Sequence, residues 1–146
     1  DRKGLPGELK RLQQASKEGI GIGSMPPSEQ AAAELIEYFA ARSERFSTPL
    51  AVPASPFTQR VWDALREIPA GETRSYSEIA RQIGSPTAIR AVARANGANQ
   101  IALMIPCHRV IGADGSLTGY GGGLWRKQRL IEIERQLRSV NKERIA

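Results

Sequence analysis

Residues 75–100 read SYSEIARQIGSPTAIRAVARANGANQ, and few folds can accommodate that order of signals. Ser75 and Glu78 have the S-x-x-E spacing of a capping box, so a helix starts there. Gly84 supplies its stop, and Ser85 followed by Pro86 reads as the N-cap and first-turn proline of a second helix. Two helices joined by so tight a corner form a helix-turn-helix pattern, with Ile89, Val92 and Ala93 turned inward and Arg90 and Arg94 one turn apart on the outer face. Arginines so placed can grip phosphates or enter a base stack, although many paired helices bind no nucleic acid.

The rest of the chain supplies a core for this pair. PFTQRVWDALREIP (56–69) places Phe57, Val61, Trp62, Leu65 and Ile68 on one apolar stripe. Upstream, SEQAAAELIEYFAARSERF (28–46) opens with a cap-like Ser28 and sets Ala32, Leu35, Ile36 and Phe39 on one helix face. The prolines of PLAVPASP (49–56) separate these two patterns, which predicts a division into residues 1–55 and 56–146. The first 27 residues have little strand character, so the opening region reads as part of a domain. With 146 residues and 40% apolar content, a packed core is within reach.

Charge is unevenly distributed. Residues 1–55 carry seven basic and seven acidic side chains, whereas residues 56–146 carry fourteen and eight and hold the whole net charge of +6. Residues 79–113 contain no acid but include Arg81, Arg90, Arg94 and Arg109. Such a stripe favours a polyanion, since each neutralised phosphate releases counterions; a solvated basic face would look the same. No apolar run is long enough for a membrane span and no signal segment opens the sequence, so a soluble protein without membrane contact is expected. A single cysteine excludes an internal disulfide or a Cys-rich zinc site and suits a reducing compartment.

That cysteine, Cys107, stands beside the sole histidine, His108, after the apolar run IALMIP, which reads as a short buried strand. Adjacent residues of an extended segment point to opposite sides, so His108 would reach the thiol only through a bridging water. A lone cysteine often packs as a small hydrophobe, but placement within an acid-free stretch favours thiolate chemistry. Downstream, DGSLTGYGGGLWRK carries five glycines around Tyr120, which lets the main chain approach a flat ligand. It lacks the Gly-Lys-Ser/Thr ending of a phosphate loop. In LWRKQRLIEIERQL, Leu130, Ile131 and Leu137 mark a buried face on which Glu134 also falls. A buried carboxylate requires a partner, and His108 or an arginine could supply one.

IPCHRVIGADGSLTGYGGG, together with GETRSYSEIA and PTAIRAVARANGAN, resembles the O6-alkylguanine-DNA alkyltransferases, including the carboxy-terminal half of bacterial Ada proteins, over about Thr48 to Gln136. The resemblance implies an α/β (α+β), mainly helical fold: a winged-helix-like DNA-binding alkyltransferase domain after the remnant of a ribonuclease-H-like domain. It implies irreversible transfer of an alkyl group from O6-alkylguanine, and from O4-alkylthymine, in double-stranded DNA to Cys107. His108 would lie between Glu134 and a water, Tyr76 would help to protonate the departing base, and Asn99 would order the active-site backbone. The backbone of Cys107 and Val110 would accept from the base and Gly121 would meet O6, with Tyr120 and Gly122 also at the substrate. Arg90 would be the finger that fills the gap left by the extruded nucleotide, and Ser75, Thr87, Ala88, Arg94 and Arg109 would contact DNA. No cofactor or metal is implied, and a monomer in the bacterial cytoplasm, associated with the nucleoid, is expected. In this sequence Gln100 follows Asn99 where the family commonly has proline. A lesion-binding protein that does not repair, a helix-turn-helix regulator and a cysteine hydrolase are the competing classes; the first is disfavoured by Cys107, which is tryptophan in the alkyltransferase-like proteins.

Overall fold

The computed structural model describes residues 25–145. Five α-helices carry the described chain: α1 (Pro26–Phe39), α2 (Pro56–Arg66), α3 (Tyr76–Gln82), α4 (Ile89–Gly97) and α5 (Leu124–Ile145). Among the described residues the sheet is one parallel pair, β1 (Arg74–Ser75) with β2 (Val110–Ile111), in which Arg74 is opposite Val110 and Ser75 opposite Ile111. The fold is thus mostly helical with a small sheet. Of the first 27 residues, for which little strand character is expected, 1–24 lie outside the described residues.

Helix α2 forms where its stripe predicts. Ser55 caps it by accepting from the Thr58 N–H at 3.2 Å, Pro56 occupies the first turn, and Val61, Trp62 and Leu65 are buried. These side chains meet Ile79 of α3, Val92 of α4 and Ile105 and Val110 from the segment beyond. Burying each such side chain contributes about 1.5–3 kcal/mol. The Trp62 indole N–H donates to the Ala95 carbonyl at 2.9 Å, which ties α2 to the end of α4.

The capping box of α3 is present as read, with the Ser75 N–H donating to Glu78 Oε2 at 2.7 Å and the Glu78 N–H to Ser75 Oγ at 3.2 Å. Gly84 follows at φ +70°, a left-handed stop. The second helix, however, begins at Ile89 rather than after Ser85. The Ser85 N–H is already committed to the Ala80 carbonyl at 2.8 Å, and its own carbonyl closes a turn with the Ala88 N–H at 2.9 Å. The inward face of α4 also differs from the one expected: Val92, Ala95 and Asn96 are buried, while Ala93 is exposed and Ile89 is 43% exposed. Hydrogen bonds from Trp62 to Ala95 and from Asn96 to Cys107 turn that edge inward.

Two further expectations are corrected. IALMIP is not a strand; Leu103 adopts φ +75°, the Ile105 N–H returns to the Ile101 carbonyl at 3.0 Å, and Cys107–Arg109 form a 3-10 turn. Asn99 takes the part of a neighbouring strand, donating from Nδ2 to the Ile105 carbonyl at 2.7 Å and accepting from the Ile101 N–H at 2.9 Å. In α1 the cap is Met25, with Ser28 three residues inside, and the face turned to the rest of the chain carries Tyr38 and Glu34 rather than Ala32, Ile36 and Phe39. Polar partners decide this orientation: Glu34 accepts from the hydroxyls of Ser47 and Thr48, both at 2.7 Å, and Tyr38 reaches Glu134.

Candidate active site

Helix α5 carries a buried anion and a buried cation on one face, two turns apart. Glu134 is fully buried and its carboxylate receives five donors. Oε1 accepts from the Tyr38 hydroxyl at 2.9 Å, His108 Nε2 at 2.8 Å and Arg109 Nη2 at 2.8 Å. Oε2 accepts from Arg109 Nε at 2.9 Å and the Gly71 N–H at 3.1 Å. Burial alone would raise its pKa, but the hydrogen bonds from His108 and Arg109 and the charge of Arg109 outweigh that and hold it at about 2.

An ionised Glu134 fixes the state of His108. A carboxylate only accepts, so Nε2 carries the proton. Burial lowers the imidazole pKa below its ordinary value against the pull of Glu134, so the ring is neutral and Nδ1 is an unprotonated acceptor. Nδ1 is buried and has no hydrogen-bond partner among the described residues. Cys107 and His108 are successive residues of a 3-10 turn, where side chains are rotated by about 120° from one to the next, rather than the alternating positions of a strand.

Cys107 borders a cavity of about 280 Å³, just below the roughly 300 Å³ at which small-ligand sites begin. Asn96, Asn99, residues 119–122 and Arg126 line it as well. Tyr120 is half-buried, and desolvation together with the charge of Cys107 pushes its hydroxyl up to about 12. The Tyr76 hydroxyl reaches the same rim, where it would lie 3.3 Å from a Cβ placed on Gly119. The structure therefore brings together Cys107, Asn99, Tyr76, Tyr120, Gly121 and Gly122, with His108 and Glu134 in the interior.

Other expected residues lie elsewhere. Val110 is buried in β2 outside the cavity wall, and its carbonyl accepts from Lys127 Nζ at 2.5 Å. Arg109, expected at DNA, is buried; its two-point pair with Glu134 and a 2.5 Å bond from Nη1 to the Ile68 carbonyl engage all three guanidinium nitrogens in the interior. Ser75, also expected at DNA, is buried as the cap of α3. Thr87, Ala88, Arg90 and Arg94 share one surface groove of about 610 Å³ along α4, with Thr87 and both arginines exposed.

Sequence reasoning missed three members of the site. Lys127 is fully buried, donates also to the Thr118 carbonyl at 2.6 Å, and has its pKa lowered to about 8 by desolvation, partly offset by Cys107. Its signal was available, because Lys127 sits three and four residues before Leu130 and Ile131, on the same helix face. Asn96 Nδ2 contacts the Cys107 carbonyl at 3.4 Å, and Tyr38 is 96 residues distant from Glu134 in sequence. Neither carries a local signal.

Residues 56–136 match the family described as 6-O-methylguanine DNA methyltransferase, DNA binding domain. A methylated-DNA–protein-cysteine methyltransferase of Mycolicibacterium paratuberculosis is 59% identical over 103 residues, covering 70% of this chain and 62% of the relative. The chain thus spans less than two thirds of that relative's length. Among solved structures, Mycobacterium tuberculosis OGT in complex with DNA superposes with a TM-score of 0.73 at 55% identity, covering 75% of this chain and 68% of that one. S. pombe ATL in complex with DNA gives a TM-score of 0.51 at 33% identity, over 57% of this chain and 79% of that one.

Proposed function

The chain belongs to the 6-O-methylguanine DNA methyltransferase family, and on that premise we propose that it repairs O6-alkylguanine, and O4-alkylthymine, in double-stranded DNA by one irreversible transfer to Cys107. It acts as a methylated-DNA–[protein]-cysteine S-methyltransferase of single turnover. The observation that carries this reading is the buried Nδ1 of a neutral His108, without a partner among the described residues, whose other nitrogen is fixed by Glu134. That nitrogen takes the thiol proton through a water, Sγ of Cys107 attacks the alkyl carbon, and the carbon–O6 bond breaks as the sulfur–carbon bond forms. The guanine leaves with the O6 electron pair and is protonated by the Tyr76 hydroxyl.

Asn99 holds residues 101–105 behind the cysteine, which supports its assigned ordering role. Gly121, Gly122 and Tyr120 border the cavity that would receive the extruded base. Extrusion is required because chemistry on a base needs it outside the stack. The exposed Arg90, with Thr87, Ala88 and Arg94, forms the surface we assign to the minor groove, Arg90 filling the gap. In this reading residues 56–146 are the winged-helix-like alkyltransferase domain, residues 1–55 belong to a ribonuclease-H-like domain and its linker, and the protein works as a monomer on nucleoid DNA in the bacterial cytoplasm.

A time course with duplex DNA carrying a labelled O6-methyl group tests the proposal. Protein-bound label should rise to one methyl per chain and stop. Continued product beyond one equivalent would favour a hydrolase, and lesion binding without transfer would favour the non-repairing class.

A further inference from the structure

Residues 119–122 line the cavity with Cys107 and can hardly hold themselves in place. Four of the five residues from Gly119 to Gly123 are glycine, so the loop has almost no side chains with which to pack. Tyr120 is the exception; it lines the same cavity as Cys107 and is near enough for the charge of Cys107 to raise the pKa of its hydroxyl. What keeps it there comes from Trp125 and Arg126, the second and third residues of α5. Arg126 Nη1 donates to the Gly122 carbonyl at 2.8 Å, and the Arg126 guanidinium lies 4.3 Å over the ring of Trp125. Trp125 is 66% exposed, so its place in the fold is not explained by core packing. Gly122 is caught between the two sides: a Cβ there would sit 2.8 Å from Tyr120 Cε1 and 3.7 Å from Arg126 Cδ. The contacts run Trp125, Arg126, Gly122, Tyr120, and end at the cavity.

We propose that Trp125 and Arg126 form a brace that sets how far the Tyr120–Gly122 wall stands from Cys107, and thereby the largest alkyl group the site accepts. The inference rests on the alkyl-transfer reading above and adds two positioning residues to it. Neither side chain needs to touch the reacting atoms. Stacking fixes the plane of the guanidinium, the guanidinium fixes the Gly122 carbonyl, and that carbonyl's loop holds the tyrosine ring. Loss of either member lets the ring move outward, which favours a bulky group over methyl.

The test compares transfer rates from single-stranded oligonucleotides carrying O6-methylguanine or O6-benzylguanine, so that duplex opening plays no part. Trp125→Ala and Arg126→Ala should raise the benzyl-to-methyl rate ratio by about tenfold, the scale on which one pocket contact discriminates. Trp125→Phe should keep the wild-type ratio, and Arg126→Lys, which retains a donor but no stacking plane, should fall between. If Arg126→Ala does not fold, the Trp125→Ala and Trp125→Phe pair decides, since Trp125 is mostly solvent-exposed. A ratio that stays within about twofold of wild type in the alanine variants overturns the brace while transfer itself stands. Wild-type protein that transfers neither group overturns the alkyl-transfer reading and the brace with it.

Discussion

Behind Cys107, Tyr38, His108 and Arg109 are buried and all bind Glu134 at 2.8–2.9 Å, whereas in front of it residues 119–122 are mainly glycine, with the Gly122 carbonyl held by Arg126 and the carbonyl of the preceding Thr118 held by Lys127. The rear network has no slack because every oxygen of Glu134 is taken and the imidazole must stay neutral. The front wall is held by a few contacts to main-chain carbonyls. Chemistry that depends on one protonation state needs the first kind of construction, and a site that must admit and release a bulky base needs the second. The two regions should therefore respond differently to substitution.

The largest effect is expected from the rear. Glu134→Gln leaves the Arg109 guanidinium buried without its counter-charge, and removing one partner of a buried pair costs about 3–5 kcal/mol. Urea unfolding should show that loss, with alkyl transfer slowed in the fraction that remains folded. The same pair predicts a pH dependence. With the native pKa of Glu134 held at about 2 and the unfolded value near 4.5, the ionised form contributes stability above pH 4.5, and that contribution is lost as pH falls toward 2. Melting temperature across this window should fall more steeply in wild type than in Glu134→Gln. Equal slopes would mean that the network does not bind the carboxylate as described.

Much of this rear network was open to sequence reasoning, since Cys107 and His108 are unique residues and Glu134 shares a helix face with Leu130, Ile131 and Leu137. Periodicity could also place α2, and the capping box located α3 to the residue. What could not be read were contacts made between distant segments. Tyr38 orients α1 through a bond to Glu134 that no local pattern announces, which is why the apolar periodicity of Ile36 and Phe39 gave the wrong face. IALMIP looked like a strand because its composition is apolar; the Asn99 side chain, occupying the main-chain groups of Ile101 and Ile105, makes it a loop. Arg109 belonged by charge to a basic stripe, yet the pull of a buried carboxylate took it out of that surface.

An intermediate effect is expected where the front wall meets the core. Lys127→Met leaves the Val110 and Thr118 carbonyls without their donor, and an unsatisfied buried acceptor costs about 1–3 kcal/mol, to be read as a lower denaturation midpoint. Substrate selection should shift with it, because Thr118 leads into the glycine loop. A stability change as large as that of Glu134→Gln would show that the front wall is as rigid as the rear.

The smallest change in stability belongs to the outer face of α4. Arg90→Ala should alter unfolding by no more than about 0.5 kcal/mol, as surface substitutions do. Repair of duplex DNA should nevertheless slow far more than reaction with free O6-benzylguanine, because only the duplex reaction requires extrusion. Equal losses on the two substrates would remove the finger role.

The central claim, that Cys107 itself is the acceptor, is tested most directly by intact and peptide-resolved mass after incubation with duplex DNA containing O6-methylguanine. Wild-type protein should gain the mass of one methyl group, confined to the peptide that contains Cys107, and Cys107→Ala should gain none. A methyl group found on another residue, or a gain that persists in Cys107→Ala, would contradict the account.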